Sequence, residues 1–166
     1  MNALILLLLG SLLTLGVALR RFLLKDGRSP AVVVFDTSYL LTGPPRLPRS
    51  LLAGARAERV KGVIPDTVLA KLDWYARHSD EPDKSWLAAQ IALLLKESIA
   101  NGEVEYLSLH RDECPAAPGL TSESHEDQVI LVACRLKQHR PDWRVLLATT
   151  DRAMKAKAAG LGIDTI

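Results

Sequence analysis

The feature that most constrains this chain is a set of short, wholly apolar runs separated by helical ones. Residues 31–35 read AVVVF, bounded by Pro30 and Asp36. β-Branched side chains lose χ1 freedom in a helix and favour extended backbone. A run with no polar alternation predicts a strand buried on both faces, as in parallel sheets. Further strands are predicted at 63–64, 103–107, 145–148 and 163–166. Helices are predicted at 67–77, 85–100, 125–138 and 151–159. Val68, Leu69, Leu72, Tyr75 and Ala76 share one face of the first of these, and Asn101-Gly102 stops the second. Thr37–Leu41 opens a helix that Gly43-Pro44-Pro45 interrupts, and residues 50–58 suit another. Residues 78–84 and 112–122 read as loops. Strands alternating with helices predict an α/β sandwich with a mostly parallel sheet. In such a fold the functional crevice lies at the C-terminal edge of the strands. The residues just after each strand are therefore the candidates.

The first residues do not belong to this pattern. Residues 3–19 carry no charge, are rich in leucine, and are followed at once by Arg20 and Arg21. A helix of that length spans roughly 25 Å, near the lower limit for a bilayer. A cleaved signal peptide would start with basic residues and end in a small-residue cleavage site, and both are poorly represented here. A buried core helix would carry a polar face. An uncleaved anchor fits more of the segment. The positive-inside rule then sets the remainder in the cytoplasm, on a single-pass anchor in the cell membrane. The expected organisation is an anchor at 1–24, a linker at 25–30 and one domain at 31–166.

Composition excludes several classes. In 166 residues, 48% hydrophobic and 24% charged, there is room for one ordinary core and no sign of disorder. Two cysteines exclude a disulfide scaffold. Twenty-one basic against 19 acidic residues leave +2, so a nucleic-acid partner has to be argued from a local site.

Asp36 follows the first strand directly, Asp151 follows VLLATT, and Asp127 lies in the first turn of helix 125–138. Each suits an N-cap or the helix dipole when taken singly, and Ser124-His125-Glu126-Asp127 resembles a capping box. In a sheet of order 3-2-1-4-5 the first and fourth strands are neighbours, so Asp36 and Asp151 would share one crevice. Clustered carboxylates need a cation, and hard oxygen ligands suit Mg²⁺ or Mn²⁺.

Four stretches resemble the PIN domain family: VVVFDTSYLL (32–41), VIPDTVLAKLD (63–73), DQVILVAC (127–134) and LLATTDRAMKAKAAGLGI (146–163). The resemblance runs from about residue 31 to 166. It implies a three-layer α/β/α sandwich and an acidic pocket that binds Mg²⁺ or Mn²⁺. It also implies ribonuclease activity, the metal-assisted hydrolysis of RNA phosphodiesters. Carried over residue by residue, the family's acids fall on Asp36, Asp127 and Asp151, with Ser38 and Thr149 supporting. One position departs. Where the family places a Glu after the second strand, this chain has Lys71. Asp73 lies on the other flank of the helix and cannot replace it, and Glu126 is a candidate substitute. A lysine there would weaken metal binding, or its ammonium would take the place of a second metal.

Two readings of function follow: a membrane-anchored, metal-dependent endoribonuclease, or a catalytically weakened PIN-like scaffold that binds RNA or a protein partner, a homodimer included. A phospho-acceptor domain fits less well, because Ser108-Leu109-His110 stands where its acceptor Asp would follow the third strand. Arg46, Arg49, Arg56, Arg59 and Lys61 are candidates for phosphate contacts. Tyr75 and Trp86 are expected in the core, and Trp74 is open between core and base stacking.

Overall fold

The computed structural model describes residues 30–42, 60–109 and 117–166. Five strands occur in it: β1 (Ala31–Phe35), β2 (Val60–Pro65), β3 (Val104–Leu107), β4 (Arg144–Ala148) and β5 (Asp164–Thr165). Five helices accompany them: α1 (Thr37–Leu40), α2 (Asp66–His78), α3 (Pro82–Ala100), α4 (His125–His139) and α5 (Arg152–Gly160). The strands form one sheet of order β3-β2-β1-β4-β5, and every pairing is parallel. This is the α/β architecture and the strand order that the sequence predicts.

The hydrophobicity of β1 explains its central place. All five of its residues are fully buried. Successive strand side chains point to opposite faces, so burial of all five requires cover on both faces. Val33 pairs with Gly62 on one side and Leu146 on the other. Gly62 is the close approach that allows this packing. A Cβ there would lie 2.8 Å from Val104 Cγ1 and 3.1 Å from Phe35 Cε2.

Several boundaries differ from the sequence reading. β2 begins at Val60 rather than 63 because ladder pairing is a backbone property, and Lys61 sits exposed in the ladder with its ammonium on Glu105 at 2.7 Å. α3 begins at Pro82, three residues before the expected start, since proline at a first helical position loses no hydrogen bond that was needed. It ends at Ala100 with Asn101 as its C-cap, followed by Gly102 with φ +69°. Trp86 is a correction: it is 60% exposed, not in the core. The buried side of α3 consists of Ala88, Ile91, Ala92, Leu95 and Ser98, and Trp86 projects from the opposite side. Tyr75 is partly buried against the core. The expected anchor at 3–19, helix 50–58 and Arg46, Arg49, Arg56 and Arg59 lie outside the described residues. Among the described residues no helix is long and apolar enough to cross a membrane.

Candidate functional site at the C-terminal edge of the sheet

The crevice forms where β1 and β4 end side by side. Asp36 N donates to Ala148 O at 2.9 Å, which extends the ladder one residue past the strand and fixes the Asp36 backbone. The Asp36 side chain is 4% exposed. Its Oδ2 accepts from Ser38 N at 3.2 Å, Ser38 Oγ at 2.5 Å and Thr149 Oγ1 at 2.9 Å. Three donors on one oxygen satisfy a buried acceptor that would otherwise be costly to desolvate. Ser38 and Thr149, the expected supporting residues, therefore orient Asp36. Thr149 Oγ1 also accepts from Asp151 N at 3.1 Å, so one buried hydroxyl joins the ends of β1 and β4.

The other two aspartates have partners of their own. Asp151 Oδ1 caps α5, accepting from Ala153 N at 2.7 Å and Met154 N at 3.0 Å. Asp127 is 3% exposed. Its Oδ1 accepts from Lys157 Nζ on α5 at 2.6 Å, and its Oδ2 from Thr121 N at 3.0 Å. Ser124 is the N-cap of α4 and accepts from Asp127 N at 3.3 Å.

Lys71 occupies the space between α2 and α4. Its Nζ donates to Glu126 Oε1 at 2.7 Å. Asp36, Thr37, Thr67, Val68, Lys71, His125, Glu126 and Val129 line a shallow, open cleft around this pair. Burial would lower the Lys71 pKa, but the hydrogen bond and charge of Glu126 outweigh it, with Tyr75 and Asp36 adding to them, and raise it. The Lys71 bond holds the Glu126 carboxyl down to about 2, helped by a backbone hydrogen bond and by Ser124. The ammonium is thus the fixed positive charge of the pocket at any physiological pH.

Sequence reasoning did not find Thr37, Thr67 or Lys157 as parts of this site. Thr67 Oγ1 and His125 Nδ1 are 2.6 Å apart, which joins α2 to α4 one turn from Lys71. Residues 67 and 71 stand at i, i+4, so helical spacing carried that signal. Thr37 Oγ1 is buried in the cleft with no hydrogen-bond partner among the described residues. Lys157 faces Asp127 only because α5 packs beside α4, and nothing in its local sequence marks it. Lys61, from the expected basic cluster, is engaged by Glu105. Trp74 is 52% exposed and stacks on His78 at 5.5 Å between ring centroids.

These donors do not fit a divalent ion as they stand. Mg²⁺ or Mn²⁺ would require several carboxylate oxygens around one point. Glu126 is committed to Lys71, Asp127 to Lys157, and Asp151 to a helix terminus. Among the described residues no three Asp, Glu, His or Cys side chains converge to hold a metal.

None of the curated proteins matches the sequence. Among solved structures, the chain is similar to a domain of a functionally unknown protein from Methanocaldococcus jannaschii DSM 2661. The two are 18% identical with a TM-score of 0.49, over 83% of this chain and 89% of the other. The PIN domain matches residues 33–166, which span the described sheet apart from Ala31 and Val32 of β1, together with the cleft and, but for Val32, the four stretches singled out in the sequence. By that match the chain belongs to the PIN domain family.

Proposed function

We propose that this PIN domain binds RNA at the β1–β4 edge, with phosphodiester hydrolysis weakened because Lys71 stands in the acidic pocket. The observation that carries this reading is the 2.7 Å contact between Lys71 Nζ and Glu126 Oε1 in the cleft that Asp36 also lines. A protein-borne cation offsets one carboxylate there and competes with an added metal by charge repulsion. Arg152 and Lys155 on α5, the helix that Asp151 caps, supply positive charge for phosphate contacts. Ser38 Oγ donates to Asp36 and accepts from Thr150 N at 3.1 Å, which keeps the mouth of the crevice polar and ordered. The apolar segment 3–19 is the proposed single-pass anchor, with Arg20 and Arg21 holding the domain on the cytoplasmic side.

A second reading, a Mg²⁺- or Mn²⁺-dependent ribonuclease, is favoured by one observation: Asp36 and Asp151 are joined through Thr149 at adjacent strand ends. One experiment separates the two. The full chain in detergent micelles is incubated with labelled single-stranded RNA and Mn²⁺, beside Asp36→Asn and Lys71→Glu. The weakened-scaffold reading expects salt-sensitive RNA retention by the parent, little cleavage, and a gain of Mn²⁺-dependent cleavage in Lys71→Glu. Strong cleavage by the parent that Asp36→Asn abolishes establishes the ribonuclease instead. Absence of RNA retention in every chain removes both.

A further inference from the structure

The cleft beside β1 has a buried floor and a more exposed rim. Asp36, Thr37, Thr67, Val68 and Val129 are the floor, and all five are buried. His125 and the Lys71–Glu126 pair are the rim. The side chains of that pair are partly open to solvent. Ion pairs of this kind hold weakly, so long rim side chains swing aside at small cost.

One floor group is unsatisfied. Thr67 Oγ1 has His125 Nδ1 at 2.6 Å. Thr37 Oγ1 has no hydrogen-bond partner among the described residues, although Thr37 is only 3% exposed. A buried hydroxyl without a partner costs folding free energy, because it has given up water and gained nothing in return. Valine has the same shape without that cost. A hydroxyl set on this floor is explained by a partner that a ligand brings.

The surroundings select the ligand group. All three hydrogen bonds to the Asp36 side chain end on Oδ2, which leaves Oδ1 as an acceptor without a partner among the described residues. A ligand hydroxyl answers both groups from one oxygen, since it accepts from Thr37 and donates to Asp36. A phosphate oxygen suits the floor less well, because a phosphodiester has no proton for Asp36 and the carboxylates of Asp36 and Glu126 repel it. At the rim the position is different. Lys71 Nζ gives one N–H to Glu126 at 2.7 Å, and the other two donors of the ammonium suit a phosphate. A hydroxyl that goes deep while its neighbouring phosphate stays at the rim describes a ribonucleotide unit. Val68 and Val129 offer apolar surface to its ring carbons.

We infer, on the reading that this domain binds RNA, that the cleft floor receives a ribose 2′-hydroxyl, with Thr37 Oγ1 donating to it and Asp36 Oδ1 accepting from it. Thr37 is then the residue that tells RNA from DNA, since DNA lacks this group and leaves both floor atoms unpaired.

The test measures, by fluorescence anisotropy in EDTA, the affinity of the full chain in detergent micelles for a labelled single-stranded RNA, for DNA of the same sequence and for its 2′-O-methyl form. The parent is expected to bind RNA at least about tenfold more tightly than either analogue. Thr37→Val is expected to bring RNA affinity down to that of DNA and to leave DNA affinity unchanged. The same variant is expected to raise the thermal midpoint by about 2–4 °C, because the unpaired hydroxyl is gone. Thr37→Ser keeps a hydroxyl and is expected to keep the preference for RNA. A parent that binds RNA and DNA equally, or a preference that survives Thr37→Val, overturns this inference and leaves the RNA-binding reading standing. Equal losses for RNA and DNA in Thr37→Val overturn it too, as does a lowered midpoint, which would mean that the hydroxyl already has a partner within the protein. A parent that binds none of the three removes the RNA-binding reading and this inference with it.

Discussion

Lys71 Nζ and Glu126 Oε1 meet at 2.7 Å across 55 residues of sequence. The contact ties α2 to α4 beside Asp36 and sets a protein-borne cation among the cleft's carboxylates. The pocket that results is balanced from within.

Loss of the ammonium releases the Glu126 carboxyl. In Lys71→Met the Glu126 pKa rises from about 2 toward its ordinary 4.5, which carboxyl ¹³C titration reads directly. An unshifted Glu126 in that variant means the backbone and Ser124 hold it without Lys71.

The same group gives the parent an acid-sensitive contribution to stability. The folded pKa lies below the unfolded one, so the contribution is complete above about 4.5 and is lost as pH falls toward about 2. Glu126 is 42% exposed and Lys71 28%, and solvent screening limits the pair to about 1 kcal/mol. The acid-induced fall in thermal midpoint is expected to be shallower in Glu126→Gln than in the parent over that range.

Lys71→Glu places a third carboxylate with Asp36 and Glu126 in one cleft. Like charges at this distance disfavour the folded state, so the variant is expected to melt below the parent and to recover with Mn²⁺, by binding linkage to the folded state. Equal Mn²⁺ responses of parent and variant would show that Lys71 does not govern metal affinity.

Asp36 holds three hydrogen bonds on Oδ2. Asp36→Ala strands the buried Thr149 hydroxyl and the Ser38 donors, at a cost of about 1–3 kcal/mol by denaturant unfolding. Asp36→Asn keeps an acceptor oxygen in place and is expected to cost less. Equal losses for the two would mean that charge, not hydrogen bonding, holds the strand ends together.

Gly62 is required by space rather than by backbone angle. Gly62→Ala brings a methyl to 2.8 Å from Val104 Cγ1 and is expected to destabilise by about 1–3 kcal/mol through overpacking. Val104→Ala in the same chain removes the clashing methyl and is expected to recover part of that loss.

Much of the fold is legible along the chain. AVVVF can only be a strand buried on both faces, and Asp36, Ser124 and Asp151 each announce a helix start because capping is decided within three residues. Element boundaries slip where the signal is backbone pairing, at Val60, or a tolerated proline, at Pro82. Trp86 escapes a sequence reading because a helix with apolar residues on both sides does not reveal which side meets the sheet.

What the sequence determined by itself was the order of strands and helices, and with it the strand ends at which the acids stand, since hydrophobic period and capping are local. The partner of each charged group was decided only by tertiary structure. Lys71 finds Glu126, Lys157 finds Asp127 and Thr149 finds Asp36 because packed elements bring them within hydrogen-bond range. Electrostatic pairing depends on distance in space, and neighbours along the chain do not set that distance.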